Sequence, residues 1–308
     1  MAATLDELSA ADLPAARELL AEACRHDRAA DVAEEKLLGA SPRGLPTALA
    51  ARDGGALVGV ASVSGDRIRL LAVAPHARQR GVGSMLLAAC ERVVWAGAHR
   101  RARALDEPGN YLAPGVDVDN HDTLTWLARR GYVCRDEHEN LVVDVRTNPR
   151  VTAARAAELA DRCAAHGYQI RRARLDELDA LSAAISIGFG GAWPFECERA
   201  ATGEPSGLHV AVHDGRIAAF AAHDGNNRGL GWFGPAGTWP EHRGQGLGEA
   251  LLIACLVDVA AAHATSEIAW IGPREFYQRA LGAVTTRRFA VLARDTPHKR
   301  STLPPIAR

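Results

Sequence analysis

Two stretches of the chain are spelled almost alike, Val73-Ala-Pro-His-Ala-Arg-Gln-Arg-Gly-Val-Gly83 and Thr238-Trp-Pro-Glu-His-Arg-Gly-Gln-Gly-Leu-Gly248. The proline, the arginine and the last two glycines of the first stretch recur in the second at one constant spacing. Each stretch follows a predicted strand and precedes an apolar run with helical periodicity, at residues 85–98 and 250–264. The repeated unit is therefore a whole domain rather than a short solenoid unit.

A strand, then Arg-x-x-Gly-x-Gly, then a helix is a pattern typical of an anion-binding turn. Glycine allows the sharp turn and the close approach of the backbone. The first free N–H groups of the helix converge on one point, and the helix dipole adds partial positive charge there. A diphosphate suits such a site, and the arginine can close over it or stiffen the turn. Neither copy matches the phosphate-loop or dinucleotide motifs, so nucleotide hydrolysis and nicotinamide cofactors are not indicated.

The repeated block resembles the signature of the GNAT superfamily of N-acetyltransferases, and the predicted order of elements in each half is similar to that fold. The resemblance implies an α+β chain of two consecutive GNAT-like domains, each a mixed, mostly antiparallel splayed sheet flanked by helices. It also implies acetyl-CoA as co-substrate, with pantetheine in the splay and pyrophosphate on the turn. The residues implied to contact acetyl-CoA are Leu71, Ala72, Val73, Arg78, Gln79, Arg80, Gly81, Val82, Gly83 and Ser84 in the first copy, and Ala236, Gly237, Thr238, Arg243, Gly244, Gln245, Gly246, Leu247, Gly248 and Glu249 in the second.

Turn formers and composition place the domain boundary near Thr147-Asn148-Pro149. We expect a first domain at residues 1–147, a linker helix at 148–166 and a second domain at 167–308. Each half is predicted to end in two short strands, at 132–135 and 140–146 in the first and at 283–287 and 289–293 in the second. The predicted first half carries extra residues in the long loop at 107–119.

The resemblance also implies an unequal pair of domains. Acetyl transfer needs a neutral amine, and the departing thiolate benefits from a proton donor. In many GNAT enzymes that donor is a tyrosine on the last helix, and Tyr277 matches it, whereas the first half has Trp126 at the aligned position. Tyr277 is therefore the predicted catalytic residue, with packing as its alternative role, and the chemistry is predicted in residues 167–308. Tyr111 is a weaker substitute donor for the first half.

The general base stays open at the level of sequence. His223 and Asp224 end a predicted strand beside the expected second cleft, and Glu196 lies in a helical segment that often covers the acceptor in this fold. A solvated or ion-paired role competes with catalysis for each of the three. His209 and His213 can share one strand face, but no third ligand is evident, so no metal site is predicted.

Composition excludes several other classes of function. The chain has 308 residues, 36 Lys plus Arg against 37 Asp plus Glu, and a net charge of −1. That balance argues against binding to nucleic acid or membrane surfaces through bulk charge. The six cysteines form no close pairs, the first residues lack a signal-peptide pattern, and no apolar stretch reaches about 20 residues. We expect a cytoplasmic protein, monomer or homodimer, with reduced thiols.

The leading hypothesis is thus an acetyl-CoA-dependent N-acetyltransferase that acts on a primary amine of a small molecule. The stretches 108–117, 233–243 and 271–277 are similar to a bacterial class of tandem GNAT proteins, some of which are thought to act on amino sugars. One alternative is a non-catalytic acyl-CoA-binding regulatory protein. Another is a mycothiol-synthase-like transferase, which is disfavoured because Gly272-Pro-Arg-Glu-Phe-Tyr277 replaces the ending expected of it.

Overall fold

A computed structural model describes residues 3–282 and 284–296 of the chain. The elements of the first half are β1 (Thr4–Glu7), α1 (Leu13–Ala23), α2 (Ala33–Leu37), β2 (Thr47–Asp53), β3 (Ala56–Ser64), β4 (Arg67–Val73), α3 (Val82–Ala96), β5 (Arg101–Ala104), β6 (Val116–Asp117), α4 (His121–Ala128) and β7 (Val133–Asp144). Those that follow are α5 (Ala153–Ala164), β8 (Tyr168–Arg172), α6 (Leu178–Gly188), α7 (Trp193–Ala201), β9 (Leu208–His213), β10 (Arg216–His223), β11 (Trp232–Thr238), α8 (Leu247–Ala260), β12 (Thr265–Ile268), α9 (Arg274–Leu281) and β13 (Thr285–Asp295).

The local chemistry of the chain explains where the first strands of each half turn. Gly54 and Gly55 both have positive φ between β2 and β3, as a tight hairpin requires. Asp214 and Gly215 do the same between β9 and β10. Both hairpins are antiparallel along nearly their whole length. The two halves therefore begin as matching antiparallel meanders, as their turn residues predicted.

All the strands belong to one sheet that runs through both halves. The order is β1-β2-β3-β4-β5-β13-β7-β12-β11-β10-β9-β8, with β6 paired to β13. The last strand of the described residues, β13, thus lies inside the first half, between β5 and β7. In return, β7 pairs with β12 of the second half. The halves have exchanged their final strands, so the two domains do not have separate sheets.

The exchange replaces the paired short strands that we expected at the end of each half. Residues 133–144 and 285–295 each form one long strand, and the two strands pair with each other from Val133 opposite Ala293 to Val142 opposite Thr285. Neither segment contains a glycine or a proline to turn the chain back. Each segment therefore continues as one strand beyond its own half and pairs with a strand of the other half.

Each half opens a gap in the sheet. β4 and β5 run parallel and pair only at Arg67 with Arg103 and at Ile68 with Ala104. β11 and β12 pair only at Trp232 with Glu267 and at Phe233 with Ile268. Beyond these two pairs the strands diverge. This confirms the mixed, splayed sheet of the predicted fold class.

The apolar core of the described residues forms three clusters. The largest packs α1 and α3 on the first half of the sheet, a second packs α8 on the second half, and a third lies among α6, α7, β9 and β10. Helix α5 lies in the predicted linker segment, but Val151, Leu159 and Cys163 are buried in the second cluster against α8. None of the helices in the described residues is long and apolar enough to cross a bilayer.

Candidate active site

Both repeated turns adopt the left-handed geometry that their glycines permit. Gly81, with φ of 86°, precedes the first residue of α3, and Gly246, with φ of 79°, precedes α8. A Cβ atom added at either glycine would meet no other atom within 4 Å, so the space over each turn is open. Open space above exposed helix N–H groups is the arrangement that an anion requires.

The two arginines of the motif stiffen the turns. Arg78 Nε donates to the carbonyl oxygen of Val73 at 3.3 Å, and its Nη2 donates to Ala23 at 3.2 Å. Arg243 Nε donates to Thr238 at 3.3 Å in the equivalent contact. Each side chain therefore ties the turn back to the strand before it while leaving further N–H groups at the turn surface.

The first turn opens into a large cleft. Its volume is about 1350 Å³, and it runs from the turn into the gap between β4 and β5. The predicted residues that line it are Leu71, Ala72, Val73, Arg78, Gln79, Gly81, Gly83 and Ser84. The other two point elsewhere: Arg80 pairs with Asp53 at 2.7 Å, and buried Val82 packs on β3.

The second turn opens into a smaller cavity of about 550 Å³, which stays at the turn itself. The predicted residues that line it are Thr238, Arg243, Gly244, Gly246, Leu247, Gly248 and Glu249, and its lining does not include Ala236, Gly237 or Gln245. A Cβ atom added at Gly237 would lie 2.7 Å from Phe189 and 2.8 Å from Phe220. Aromatic side chains therefore pack closely against β11 at Gly237.

Carboxylates stand in the wall of the first cleft. Asp27, in the loop after α1, and Asp117, on β6, both line it. Arg287 of the exchanged strand β13 binds both, with Nη2 at 3.2 Å from Asp27 Oδ1 and at 2.8 Å from Asp117 Oδ2. Its Nη1 lies 3.1 Å from Glu267 of β12. Sequence reasoning missed this group because its members come close only through the strand exchange.

Comparison with known proteins decides the family. A sequence model described as the acetyltransferase (GNAT) family matches residues 13–132 and again 176–283.

The chain belongs to the GNAT acetyltransferase family.

Members of the GNAT family are acyl-CoA-dependent acyltransferases, and the two matched segments show the tandem arrangement. No curated protein sequence matches the chain. A fungal structure described as a GCN5-related glucosamine N-acetyltransferase region of a multi-domain β-N-acetylglucosaminidase is similar over 94% of this chain and 38% of its own, with 18% identity and a TM-score of 0.73. This chain thus spans well under half of that fungal protein.

Two other tandem-length structures share the fold. A GCN5-related N-acetyltransferase from Sphaerobacter thermophilus is 17% identical, with coverage of 95% on both chains and a TM-score of 0.67. A tandem GNAT protein from the clavulanic acid biosynthesis pathway is 20% identical, with coverage of 96% of this chain and 99% of its own and a TM-score of 0.67. These likenesses confirm the predicted tandem GNAT fold over nearly the whole chain.

Tyr277 lies beside the gap in the second half, outside the small cavity. Its ring is 6.4 Å from that of Phe233, the last residue of β11 that pairs with β12, and 5.0 Å from that of Phe276. Burial raises the pKa of its hydroxyl to about 12. Phe276 lies 3.5 Å from a Cβ added at Gly248, as Trp126 lies 3.2 Å from one at Gly83. In these contacts Phe276 is the counterpart of Trp126, although the sequence alignment paired Trp126 with Tyr277.

The other proposed acids and bases lie away from both cavities. Glu196 is buried at the junction of the halves, and burial raises the pKa of its carboxyl to about 7. Tyr111 is buried there too, with its ring edge-on to Trp270 at 5.3 Å. The amide side chain of Asn120 lines the first cleft and caps α4 by accepting from Thr123 N–H at 3.3 Å.

Two histidines of the second half meet in a cluster that the sequence did not bring together. His209 and His223 meet at Asp258 of α8, with Nε2 to Oδ2 distances of 2.7 and 3.5 Å, while His213 packs on Tyr168 instead. Three ligand-type groups are thus close together. However, the guanidinium of Arg172 bonds the same carboxylate at 2.8 Å. A positive charge already neutralises Asp258, so the cluster is an ion-pair network.

Proposed function

We propose that the protein transfers the acetyl group of acetyl-CoA to a primary amine of a small molecule, and that the first cleft is the site of transfer. The observation that carries this proposal is the continuity of the first cleft. One cavity joins the pyrophosphate turn at Gly81, the free edge of β4 and the carboxylates of Asp27 and Asp117. Cofactor and acceptor therefore have adjoining places in a single space.

The size of the first cleft supports an extended cofactor together with an acceptor. Its volume of about 1350 Å³ exceeds the range of about 300–1,000 Å³ that is usual for small-ligand pockets. The pyrophosphate belongs on the N-terminus of α3, where Gly81 leaves the space over the backbone open. Pantetheine then follows Leu71 to Val73, whose backbone has lost its parallel neighbour beyond Ile68.

The chemistry requires a neutral amine at the thioester carbonyl. A free alkyl amine has a pKa of about 10.4, so at neutral pH a base must take its proton. A carboxylate in the cleft wall can do this. Unpaired backbone N–H groups along β4 are suited to stabilise the oxyanion of the tetrahedral intermediate. No metal is needed for any of these steps.

Amino sugars are the first acceptors to test. The fungal structure with the same fold is described as a glucosamine N-acetyltransferase region. At 18% identity that likeness concerns the fold alone, so it suggests which acceptor to test first and does not identify the acceptor. Aminoglycosides, polyamines and peptide N-termini complete the panel, and release of free thiol from acetyl-CoA is the measurement.

The second turn with Tyr277, which the sequence predicted as the site of the chemistry, is the alternative site of transfer. Its support is the closeness of Tyr277 to the point where β11 and β12 diverge. Tyr277→Phe tests the proton-donor role directly, since it removes the hydroxyl and keeps the ring. A large fall in kcat for that variant favours the second half, and an unchanged kcat removes Tyr277 from the mechanism.

Matched glycine variants distinguish the two sites. Gly81→Glu and Gly246→Glu place the same carboxylate over equivalent turns that are both open. We expect Gly81→Glu to abolish thiol release and to weaken acetyl-CoA binding at least tenfold by isothermal titration, while Gly246→Glu keeps turnover. The reverse pattern moves the chemistry to the second half. Unchanged acetyl-CoA binding in both variants would refute the assignment of the turns, and tight binding without turnover on any amine indicates a regulatory acyl-CoA-binding protein.

A further inference from the structure

We propose that the active site is built from both halves, with Asp27 of the first half as the base and Arg287 of the exchanged strand β13 as the residue that positions it. This inference rests on the proposed function and on the placement of acetyl transfer in the first cleft. It assigns the base that sequence reasoning left open, and it gives the strand exchange a direct role in the reaction.

The contacts of Arg287 fix the loop that carries Asp27. Nη2 of Arg287 donates to the carbonyl oxygen of His26 at 2.9 Å as well as to Asp27 Oδ1 at 3.2 Å. Its other end is anchored on Glu267 at 3.1 Å, and its guanidinium lies 5.0 Å from the ring of Phe289. A planar guanidinium held at both ends has little freedom, so it sets the position of the Asp27 carboxylate.

The charges around Arg287 do not balance, and the imbalance faces the cleft. Three carboxylates, those of Asp27, Asp117 and Glu267, share the single guanidinium. The Asp27 and Asp117 side chains are 15% and 10% exposed, and both line the cleft. An ammonium group entering there supplies positive charge that the protein lacks, so the cluster is suited to a protonated amine.

The surroundings of Asp27 raise the pKa of its carboxyl, which makes it a stronger base than an ordinary aspartate. Burial is the main cause that raises the pKa of its carboxyl, and the nearby Asp117 carboxylate adds to it. Arg287 and His26 act in the opposite direction. The neighbouring Cys24 thiol, whose pKa burial and Asp27 raise to about 12, stays neutral and adds no charge. Burial likewise raises the pKa of Glu267 behind Arg287.

The reaction then balances as follows. The Asp27 carboxylate takes one proton from the ammonium, and the neutral nitrogen attacks the thioester carbonyl carbon. The C–N bond forms, the C–S bond breaks, and the electron pair leaves with sulfur. The second nitrogen proton neutralises the thiolate, and Asp27 returns its proton to water. The products are the N-acetyl amine, free CoA and one proton, with no other reactant.

The experiment compares Arg287→Gln and Arg287→Lys with Arg288→Gln in the full chain. Arg288 is the neighbouring arginine of the same strand, mostly exposed, and it pairs with Glu137 at 2.6 Å outside the cleft. The readouts are the pH profile of kcat/KM on the best amine and the acetyl-CoA affinity by isothermal titration. Thermal unfolding of each variant reports whether it is folded.

Arg287→Gln removes a charge that lowers the pKa of Asp27, so the acid limb of the kcat/KM profile should move to higher pH. We expect a shift of about one pH unit, which lowers kcat/KM about tenfold on that limb. Arg287→Lys, which keeps the charge and is the safer variant for folding, should shift the limb less. Asp27→Asn should lower kcat/KM at least 100-fold and abolish the limb. Arg288→Gln should leave the profile unchanged, and acetyl-CoA affinity should stay within twofold throughout.

The inference is overturned if Arg287→Gln and Arg287→Lys lower the rate equally at every pH, because that is the behaviour of a purely structural residue. It is also overturned if Asp27→Asn keeps the acid limb. A wild type that binds acetyl-CoA but acetylates no amine defeats the proposed function and this inference together. Turnover in the wild type with an unmoved limb in the variants defeats this inference alone.

Discussion

Lys36 joins the two halves through a buried network, and its replacement by Met should cost much of the stability of the protein. Its side chain is fully buried. Nζ donates to Glu35 Oε1 at 2.7 Å, to Asn110 Oδ1 at 2.9 Å and to Asn226 Oδ1 at 2.7 Å. The third of these bonds links α2 of the first half to the loop after β10 in the second. Burial lowers the pKa of Lys36 to about 8, so it is still charged at pH 7.

The size of the loss follows from what each partner retains. In Lys36→Met, Glu35 still has the Arg199 guanidinium at 3.1 Å and the backbone N–H groups of Asn227 and Arg228, each at 3.0 Å. The two amide oxygens lose this donor inside the protein. Each buried acceptor left unpaired costs about 1–3 kcal/mol, so the expected loss is about 2–6 kcal/mol. Met keeps most of the volume, so a cavity adds little.

Urea unfolding followed by circular dichroism at pH 7 measures this loss. Arg17→Met is the matched control, because Arg17 and Glu34 are 3.8 Å apart with side chains 54% and 69% exposed. Such a surface pair contributes about 0–1 kcal/mol. A loss for Lys36→Met no larger than that of the control would refute the reasoning.

The pH dependence gives a second check on Lys36. Its folded pKa of about 8 lies below its ordinary value of 10.5, so between these pH values the unfolded state binds more protons. The stability contributed by this group therefore rises as the pH increases from about 8 to 10.5. The gap between wild type and Lys36→Met should widen over that window, and a gap that narrows contradicts the assigned direction.

Three further outcomes follow from the structure. Asp258→Asn should lower the free energy of unfolding by about 1.5–3 kcal/mol, since it breaks charged hydrogen bonds to two histidines. Those bonds lower the pKa of Asp258 although burial opposes them, and the bonds of His223 to Asp224 and Asp258 raise the pKa of His223 although burial opposes them too. The loss should therefore be largest between pH 4 and pH 6.5 and shrink on either side. Equal losses at pH 5 and pH 9 contradict this expectation. Trp126→Ala, which removes the ring against Gly83, should weaken acetyl-CoA binding about tenfold by isothermal titration, whereas Phe276→Ala should leave it unchanged if the first cleft holds the cofactor. A chain ended at Gly282 should lose cooperative unfolding of the first half, because β5 and β7 both lose β13, and an intact first-half transition in that chain argues against the exchange.

The repeated turn predicted most of the fold because its signal is local. Positive φ at Gly81 and Gly246, the helices after them and the splayed strands before them all depend on residues within one strand–turn–helix unit. Such features can be recognised from spacing alone. The pairing partner of a strand is a different matter. Nothing in the sequence of residues 133–144 or 285–295 indicates in which half each strand will pair. A strand without a turn former can pair in its own half or in the other.

The candidate site was predicted less well than the fold, for the same reason. Tyr277 has the residue type and local context of a proton donor, but its burial beside Phe233 depends on how the second gap packs. The aromatic side chains that face Gly237 are Phe189, just after α6, and Phe220 of β10, neither of which belongs to the repeated motif. Asp27, Asp117 and Arg287 stand in three separate segments, and none of them belongs to the repeated motif. Their meeting is a property of the exchanged sheet.

The exchange is symmetric in backbone but not in charge, and this difference argues for a single acceptor site. Leu292 pairs with Ala104 in the first half as Leu141 pairs with Ile268 in the second, so β13 and β7 correspond position by position. Counting back along each strand, the counterpart of Arg287 on β7 is Asp136. That side chain is negative and 65% exposed, and it lies 3.9 Å from the imidazole of His138 rather than between carboxylates. A carboxylate at that position cannot hold a second aspartate as a base, and this difference at two matched positions supports the proposal that the amine is deprotonated in the first cleft.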